Sequence, residues 1–250
     1  MSARGIRVNN NGATLSGAVW TSADFLSLET HDCAICLWVS MAGVAGGSNT
    51  DGQFVFALCA SALGLYVSGG IDVYATDANS ASPFTMVGRV HNGGGVDDKS
   101  VGSMATGENW FVAMSWSQAT QIASFFWAKD GDPALSTITA TRAMSGSQNL
   151  DSIAFGYIPE GDNAGSNLTF TAARFWPDHT LNSAGFLAEM KSATIVDTTG
   201  SYSSWPMLNA ADTSDTHGGR TLTITGSPTD GTMDPADIGS PATRRIFMIS

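Results

Sequence analysis

Acidic side chains are the first place to look for chemistry in this chain. Glycosidic hydrolysis needs two carboxylates held rigidly on either side of one bond. The four glutamates are Glu29, Glu108, Glu160 and Glu189, and no E-x-D-x-x-E arrangement occurs among them. Glu160 stands two residues before Asp162, but Pro159 precedes the pair and Asn163-Ala164-Gly165 follows it, so the pair reads as a loop. His31, His91, His179 and His217 are scattered, with no H-E-x-x-H and no G-x-S-x-G. His217, near Asp215, reads as a surface loop residue. Gly93-Gly94-Gly95 lacks the following helix and lysine of a phosphate loop. No catalytic residue is assigned, and the chain is expected not to be an enzyme.

Binding chemistry is better represented. Hard oxygen donors at short spacing suit Ca²⁺, and four loops offer them: Asp97-Asp98, Asp130-Gly131-Asp132, Asp162-Asn163 and Asp212–Asp215. Asp130, Asp132, Asp162 and Asn163 are the expected metal ligands, with calcium the expected cofactor. Asp and Asn also simply favour turns. A sugar site needs an exposed aromatic ring beside hydrogen-bonding groups. Trp20, Trp127 and Trp176 suit core packing, whereas Trp205 follows the polar stretch Ser201–Ser204 that contains Tyr202. Tyr202, Trp205, Asp212 and Asp215 form the expected ligand-binding set. Cys33 and Cys36 have the spacing of half a zinc knuckle, but no second half occurs. On a strand, residues three apart point to opposite faces, so these cysteines are expected to be buried small hydrophobes, as is usual for free Cys.

The elements that must position these residues follow from composition. The chain has 250 residues, 43% of them hydrophobic and 13% charged, with 28 glycines. Charged residues make up about 25% of ordinary soluble domains. Ser, Thr, Gly, Ala and Asn take their place, a mixture that makes turns and small polar strand faces. All-β sandwiches run to ~200–250 residues as one domain. The net charge of −11 repels phosphate backbones and anionic lipid, which argues against nucleic-acid and membrane partners.

Runs rich in β-formers and bounded by turn residues predict strands at Gly5–Val8, Ala34–Met41, Gln53–Ala60, Leu63–Val67, Ile71–Ala75, Phe84–Val90, Trp110–Trp116, Gln121–Ala128, Ser136–Ala143, Ser152–Tyr157, Leu168–Trp176 and Leu222–Thr225. Ala34–Met41 is nearly all apolar, as a strand covered on both faces should be. Gln53–Ala60 and Leu63–Val67 are expected to pair as a hairpin. One short helix is predicted over Ala184–Ser192, capped by Asn182 or Ser183. Gly226–Pro241 reads as irregular. The apolar Ile246-Phe247-Met248-Ile249 that follows is expected to pair as a strand, within this chain or with a neighbour. The expected division is a sandwich over 1–227 and an irregular segment with a C-terminal strand over 228–250.

The motifs occur in a familiar order. Ala34-Ile35-Cys36-Leu37-Trp38-Val39, Asn109-Trp110-Phe111-Val112-Ala113-Met114-Ser115, Ser124–Gly131, Ser152–Gly156, Thr171–Trp176 and Thr180–Phe186 resemble successive strands and the helix start of laminin-G-like and concanavalin-like domains. Trp205-Pro206-Met207-Leu208 with Asp212–Gly219 resembles a loop these domains carry. The resemblance implies an all-β, two-sheet antiparallel jelly-roll sandwich with one short helix. It also implies calcium held at the sheet rim, and carbohydrate as ligand. Arg244–Ser250 resembles the C-termini of some tailed-phage virion proteins.

Together these features give the expectation of a non-enzymatic, lectin-like surface component of a virus particle, a phage head or tail decoration with weak glycan binding. Its partners would be identical subunits or other virion proteins. Arg4 and Arg7 have no apolar segment after them, so no secretory signal is read, and the expected location is the virion after synthesis in the host cytoplasm. The rival readings are a free carbohydrate-binding lectin and a divergent glycoside hydrolase.

Overall fold

The computed structural model describes residues 5–9, 17–43, 53–59, 69–76, 83–92, 94–144, 149–156, 166–233 and 235. These contain fifteen strands and one helix: β1 (Ile6–Asn9), β2 (Gly17–Ser27), β3 (Cys33–Met41), β4 (Gln53–Cys59), β5 (Gly70–Ala75), β6 (Phe84–His91), β7 (Val96–Met104), β8 (Asn109–Ser117), β9 (Ile122–Lys129), β10 (Ser136–Thr141), β11 (Asn149–Phe155), β12 (Asn167–Pro177), α1 (Ser183–Met190), β13 (Ser203–Trp205), β14 (Thr223–Thr225) and β15 (Thr229–Asp230). One sheet has the order β10-β9-β8-β3-β12-β1-β15, with β13 also paired to β12. The other has the order β14-β2-β11-β4-β5-β6-β7. Both sheets are antiparallel, and they face each other as a jelly-roll sandwich.

The period of two along each strand builds the core. In β3 all nine residues are buried. Cys33, Ile35, Leu37, Val39 and Met41 enter the space between the sheets. Ala34, Cys36 and Trp38 point the other way, into a second apolar layer under α1. This is why the strand reads as an unbroken apolar run. Phe186 of α1 packs on Phe126 of β9 and Trp176 of β12, at ring separations of 4.9 and 6.4 Å. Asn182 caps the helix by accepting a hydrogen bond from the Gly185 N–H at 2.9 Å.

Inside the sandwich the two sheets approach closely at Gly88, where a Cβ would lie 2.5 Å from the Phe125 ring of β9. One side of the sandwich is stitched by Asp97 of β7. Its carboxylate accepts from the Thr141 N–H of β10 at 2.7 Å and pairs with Lys99 at 2.7 Å. On the outer face of the second sheet, Asp72, Arg89 and His91 are buried together. The Asp72 carboxylate accepts from Arg89 Nε at 3.0 Å and lies 3.2 Å from His91 Nε2. The Arg89 guanidinium lies 4.2 Å from the Tyr74 ring centre.

Several expectations about elements need correction. β2 and β7 are absent from the predicted strands. β2 has few bulky residues and its pairing with β11 shifts register between Leu150 and Ser152. β7 begins Val96-Asp97-Asp98-Lys99 and alternates exposed with half-buried positions, so Asp97 and Asp98 lie on an edge strand rather than in a loop. Leu63–Val67 lies outside the described residues, and the described neighbours of β4 are β5 and β11. The expected C-terminal strand also lies outside them. No helix among the described residues is long and apolar enough to cross a membrane.

Candidate functional site

β8, β9 and β10 run side by side at one edge of the first sheet. Their inward faces carry Val112, Met114 and Trp116, then Ala123 and Phe125, then Ala140, all in the inter-sheet core. Their outward faces carry Ser115 and Ser117, then Ile122, Ser124 and Phe126, then Thr137 and Thr139. Part of that face lies beneath α1. The rest is a groove of about 470 Å³, walled by Thr180–Ser183 and Thr120. The wall is tied to the floor, because the Leu181 N–H donates to Ser115 Oγ at 3.2 Å.

Strand register sets the pattern of the floor. Ser115, Ser124 and Thr139 lie opposite one another across three strands and form a row of hydroxyls. Phe126 pairs with Thr137 on one side of this row, and Ile122 pairs with Ser117 on the other. Neighbouring strands are ~4.8 Å apart and same-face residues along a strand are ~6.8 Å apart, so the backbone fixes the spacing. Thr137, Thr139, Thr120 and Thr180 are exposed, while Phe126 and Leu181 form the buried floor. No lining residue carries a charge. Each hydroxyl is donor and acceptor at once, so the groove offers polar contacts of either sense over an apolar base. It supplies no general acid, base or nucleophile pair.

The residues expected from sequence sit elsewhere. Trp205 is completely buried in the core, edge-on to Phe155 at 5.9 Å, with its indole N–H donated to the Arg220 carbonyl. This corrects the expectation of an exposed stacking ring: β13 draws Trp205 inward against the sandwich. Tyr202 is half-buried, with its ring 4.7 Å from that of His217. Asp215 is drawn into the same loop, and its carboxylate accepts from the backbone N–H groups of Ser204 (2.9 Å), His217 (2.9 Å) and Arg220 (3.0 Å). Burial opposes its ionisation, but these donors outweigh that and hold its pKa below the ordinary value. Asp212 accepts from the Leu208 N–H at 2.9 Å. The structure thus brings Tyr202 and Asp215 into one neighbourhood, while Asp212 organises a separate turn.

The proposed calcium ligands are also turn-makers. The Asp132 carboxylate accepts from the Lys129 N–H at 2.9 Å, closing a turn in which Gly131 has φ of +90°. The Asp130 N–H donates to the Asn109 carbonyl at 2.9 Å. Asp162 and Asn163 lie outside the described residues, as does Glu160. Among the described residues, no three His, Cys, Asp or Glu side chains are grouped so as to hold a metal ion. Cys33 and Cys36 are buried on opposite faces of β3, and burial pushes both thiols upward in pKa. The hydroxyl groove is not legible in the sequence, where S-x-S, I-x-S-x-F and T-x-T in successive strands are its only trace. Each looks like ordinary strand filler until the register aligns them.

No family model matches the sequence, and no curated protein does. Among solved structures, the chain is similar to the native heptameric SAP-like pentraxin from Limulus polyphemus, with a TM-score of 0.54 and 12% identity over 90% of this chain and 95% of that one. It is also similar to bacteriophage CBA120 tailspike protein 2, enzymatically active domain (TM-score 0.48, 8% identity, 74% of this chain and 29% of that one). A third similar structure is Ruminococcus gnavus IT-sialidase CBM40 bound to α2,3 sialyllactose (TM-score 0.46, 12% identity, 74% of this chain and 95% of that one). At such identities the likeness is one of fold, and the pentraxin match agrees with the antiparallel jelly-roll sandwich seen in the strand order.

Proposed function

We propose that this chain is a non-enzymatic, lectin-like surface domain of a virus particle, and that the groove over β8, β9 and β10 is where it contacts glycan. One observation carries the binding role: an open groove whose lining is mostly hydroxyl-bearing and holds no charged group. Such a surface holds a ligand and leaves it chemically unchanged. The engagement of acidic side chains elsewhere supports the same reading. Glu108 is tied to Lys129, Ala105 N–H and Trp110 Nε1, and Glu189 to Arg174 and two backbone N–H groups. Placement on a particle rests on the sequence of the C-terminal segment.

The test is a glycan array probed with the purified protein, with and without EDTA, alongside Thr139→Trp, which fills the groove from an exposed position. Binding that survives EDTA and disappears in the variant is expected. Release of reducing sugar from any bound glycan would overturn the non-enzymatic reading. Particle attachment is tested separately by deleting residues 244–250, which should abolish association with virions.

A further inference from the structure

We infer that two copies of this chain pair edge to edge through β10, antiparallel about Ile138, an inference that stands apart from what the groove binds. A strand at the rim of a sheet leaves one row of backbone N–H and C=O groups unpaired, and folds guard that row with charge or with brevity. Among the described residues, the other outermost strands are guarded in this way. β7 carries Asp97, Asp98 and Lys99, β13 and β14 have three residues each, and β15 has two, one of them Asp230. β10 is the exception: Ser136-Thr137-Ile138-Thr139-Ala140-Thr141 holds neither a charge nor a proline.

Register decides which backbone groups of β10 are free. The Arg142 N–H donates to the Gln121 carbonyl. In the antiparallel pairing with β9, Ala140 and Ile138 therefore bond inward as well, and the backbone groups of Thr137, Thr139 and Thr141 point away from β9. The Thr141 N–H is taken by the Asp97 carboxylate at 2.7 Å, which closes that end. Among the described residues, the N–H groups of Thr137 and Thr139 have no partner, and both residues are exposed. A dyad at Ile138 sets Thr137 of each copy against Thr139 of the other, and each such pair exchanges both of its N–H···O bonds. Ile138, half-buried against the inter-sheet core, then meets its own counterpart. The same dyad brings Arg142, whose Nε is buried without a hydrogen-bond partner, opposite Ala134 of the other copy, two residues from the exposed Asp132. Opposite charges thus meet near both ends of the pairing. The sheet continues across the dyad with its faces aligned, so the two grooves lie side by side.

So short an edge makes a weak, concentration-dependent dimer. The experiment is sedimentation equilibrium of the full chain, without glycan. The dimer should rise from about a tenth of the chain at ~20 µM to more than half at ~1 mM. Over the same range the amides of Thr137 and Thr139 should exchange roughly threefold more slowly. Thr139→Pro removes an outward N–H that an edge strand can spare, and Thr139→Lys adds the missing guard. Each, with an unchanged circular dichroism spectrum, should stay monomeric at ~1 mM. Ile138→Cys should oxidise to a covalent dimer, and Val96→Cys on β7 should not. A wild-type chain that is monomeric at ~1 mM overturns the inference. A dimer that survives both Thr139 substitutions, or that is lost on deleting residues 244–250 with β10 intact, overturns the β10 edge as its site. None of these readouts involves a sugar, so the glycan-binding reading stands or falls separately.

Discussion

Glu189 joins the helix to the sheet. Its carboxylate pairs with the buried Arg174 of β12 and also accepts from the Val196 and Asp197 N–H groups at 2.9 and 2.6 Å. Removing one partner of such a pair leaves the other charge buried, which costs ~3–5 kcal/mol. Glu189→Gln should therefore lower the unfolding free energy by that order in denaturant titrations. A loss below ~1 kcal/mol would show that Arg174 finds other partners. Acid should act through the carboxylates that folding makes stronger acids. Asp215, Asp97, Asp197 and Glu108 all have pKa values below the ordinary carboxylate value. Burial opposes ionisation in the three aspartates and is outweighed by hydrogen-bond donors. In Glu108 the bond from Lys129 leads. A group whose pKa is depressed on folding stabilises the fold above its unfolded value, ~4, and loses that contribution as pH falls through its folded value. The melting temperature should accordingly hold at neutral pH and fall below ~4, with a shallower acid limb in Asp215→Asn. Cys33, Cys36 and Cys59 are all buried, so thiol reagents should label none of them until the chain unfolds.

Elements differ in how openly the sequence declares them. β3, β8, β9 and β12 are legible because each carries a full apolar set, and β3 is buried on both faces. β7 hides because an edge strand at the sandwich rim tolerates Asp97, Asp98 and Lys99, which also guard against edge-to-edge pairing. β13 is only three residues, Ser203–Trp205, too short for any period to show. That brevity also leaves the burial of Trp205 without a sequence signal. The groove was illegible for another reason: it exists only once three strands are set in register, and each strand alone shows scattered Ser and Thr. Two substitutions test the packing of elements. Gly88→Ala drives a methyl into the Phe125 ring and should cost ~1–3 kcal/mol through overpacking. Asn182→Ala removes the cap of α1 and should cost ~1 kcal/mol, with loosening of the Thr180–Ser183 wall visible as faster amide exchange there.

At the scale of the whole molecule, a hydroxyl-lined groove without a flat exposed ring is built for weak contacts. A monomer affinity near 1 mM corresponds to about −4 kcal/mol, and many copies on one particle would raise the effective strength by ~10²–10⁴ through avidity. Clustered protein on beads should therefore retain glycan that the free monomer releases on washing; equal retention by clustered and free protein would contradict the proposed display role. The strand register has a further consequence for how such a surface changes over generations. Thr137 and Thr139 alternate with Ile138 and Ala140, and Ala140 lies in the core. A single inserted or deleted residue in β10 would exchange the two faces and expose the interior. Point substitutions at the hydroxyl positions, in contrast, leave the interior untouched. The groove is thus easy to rewrite letter by letter and hard to rewrite by changing length.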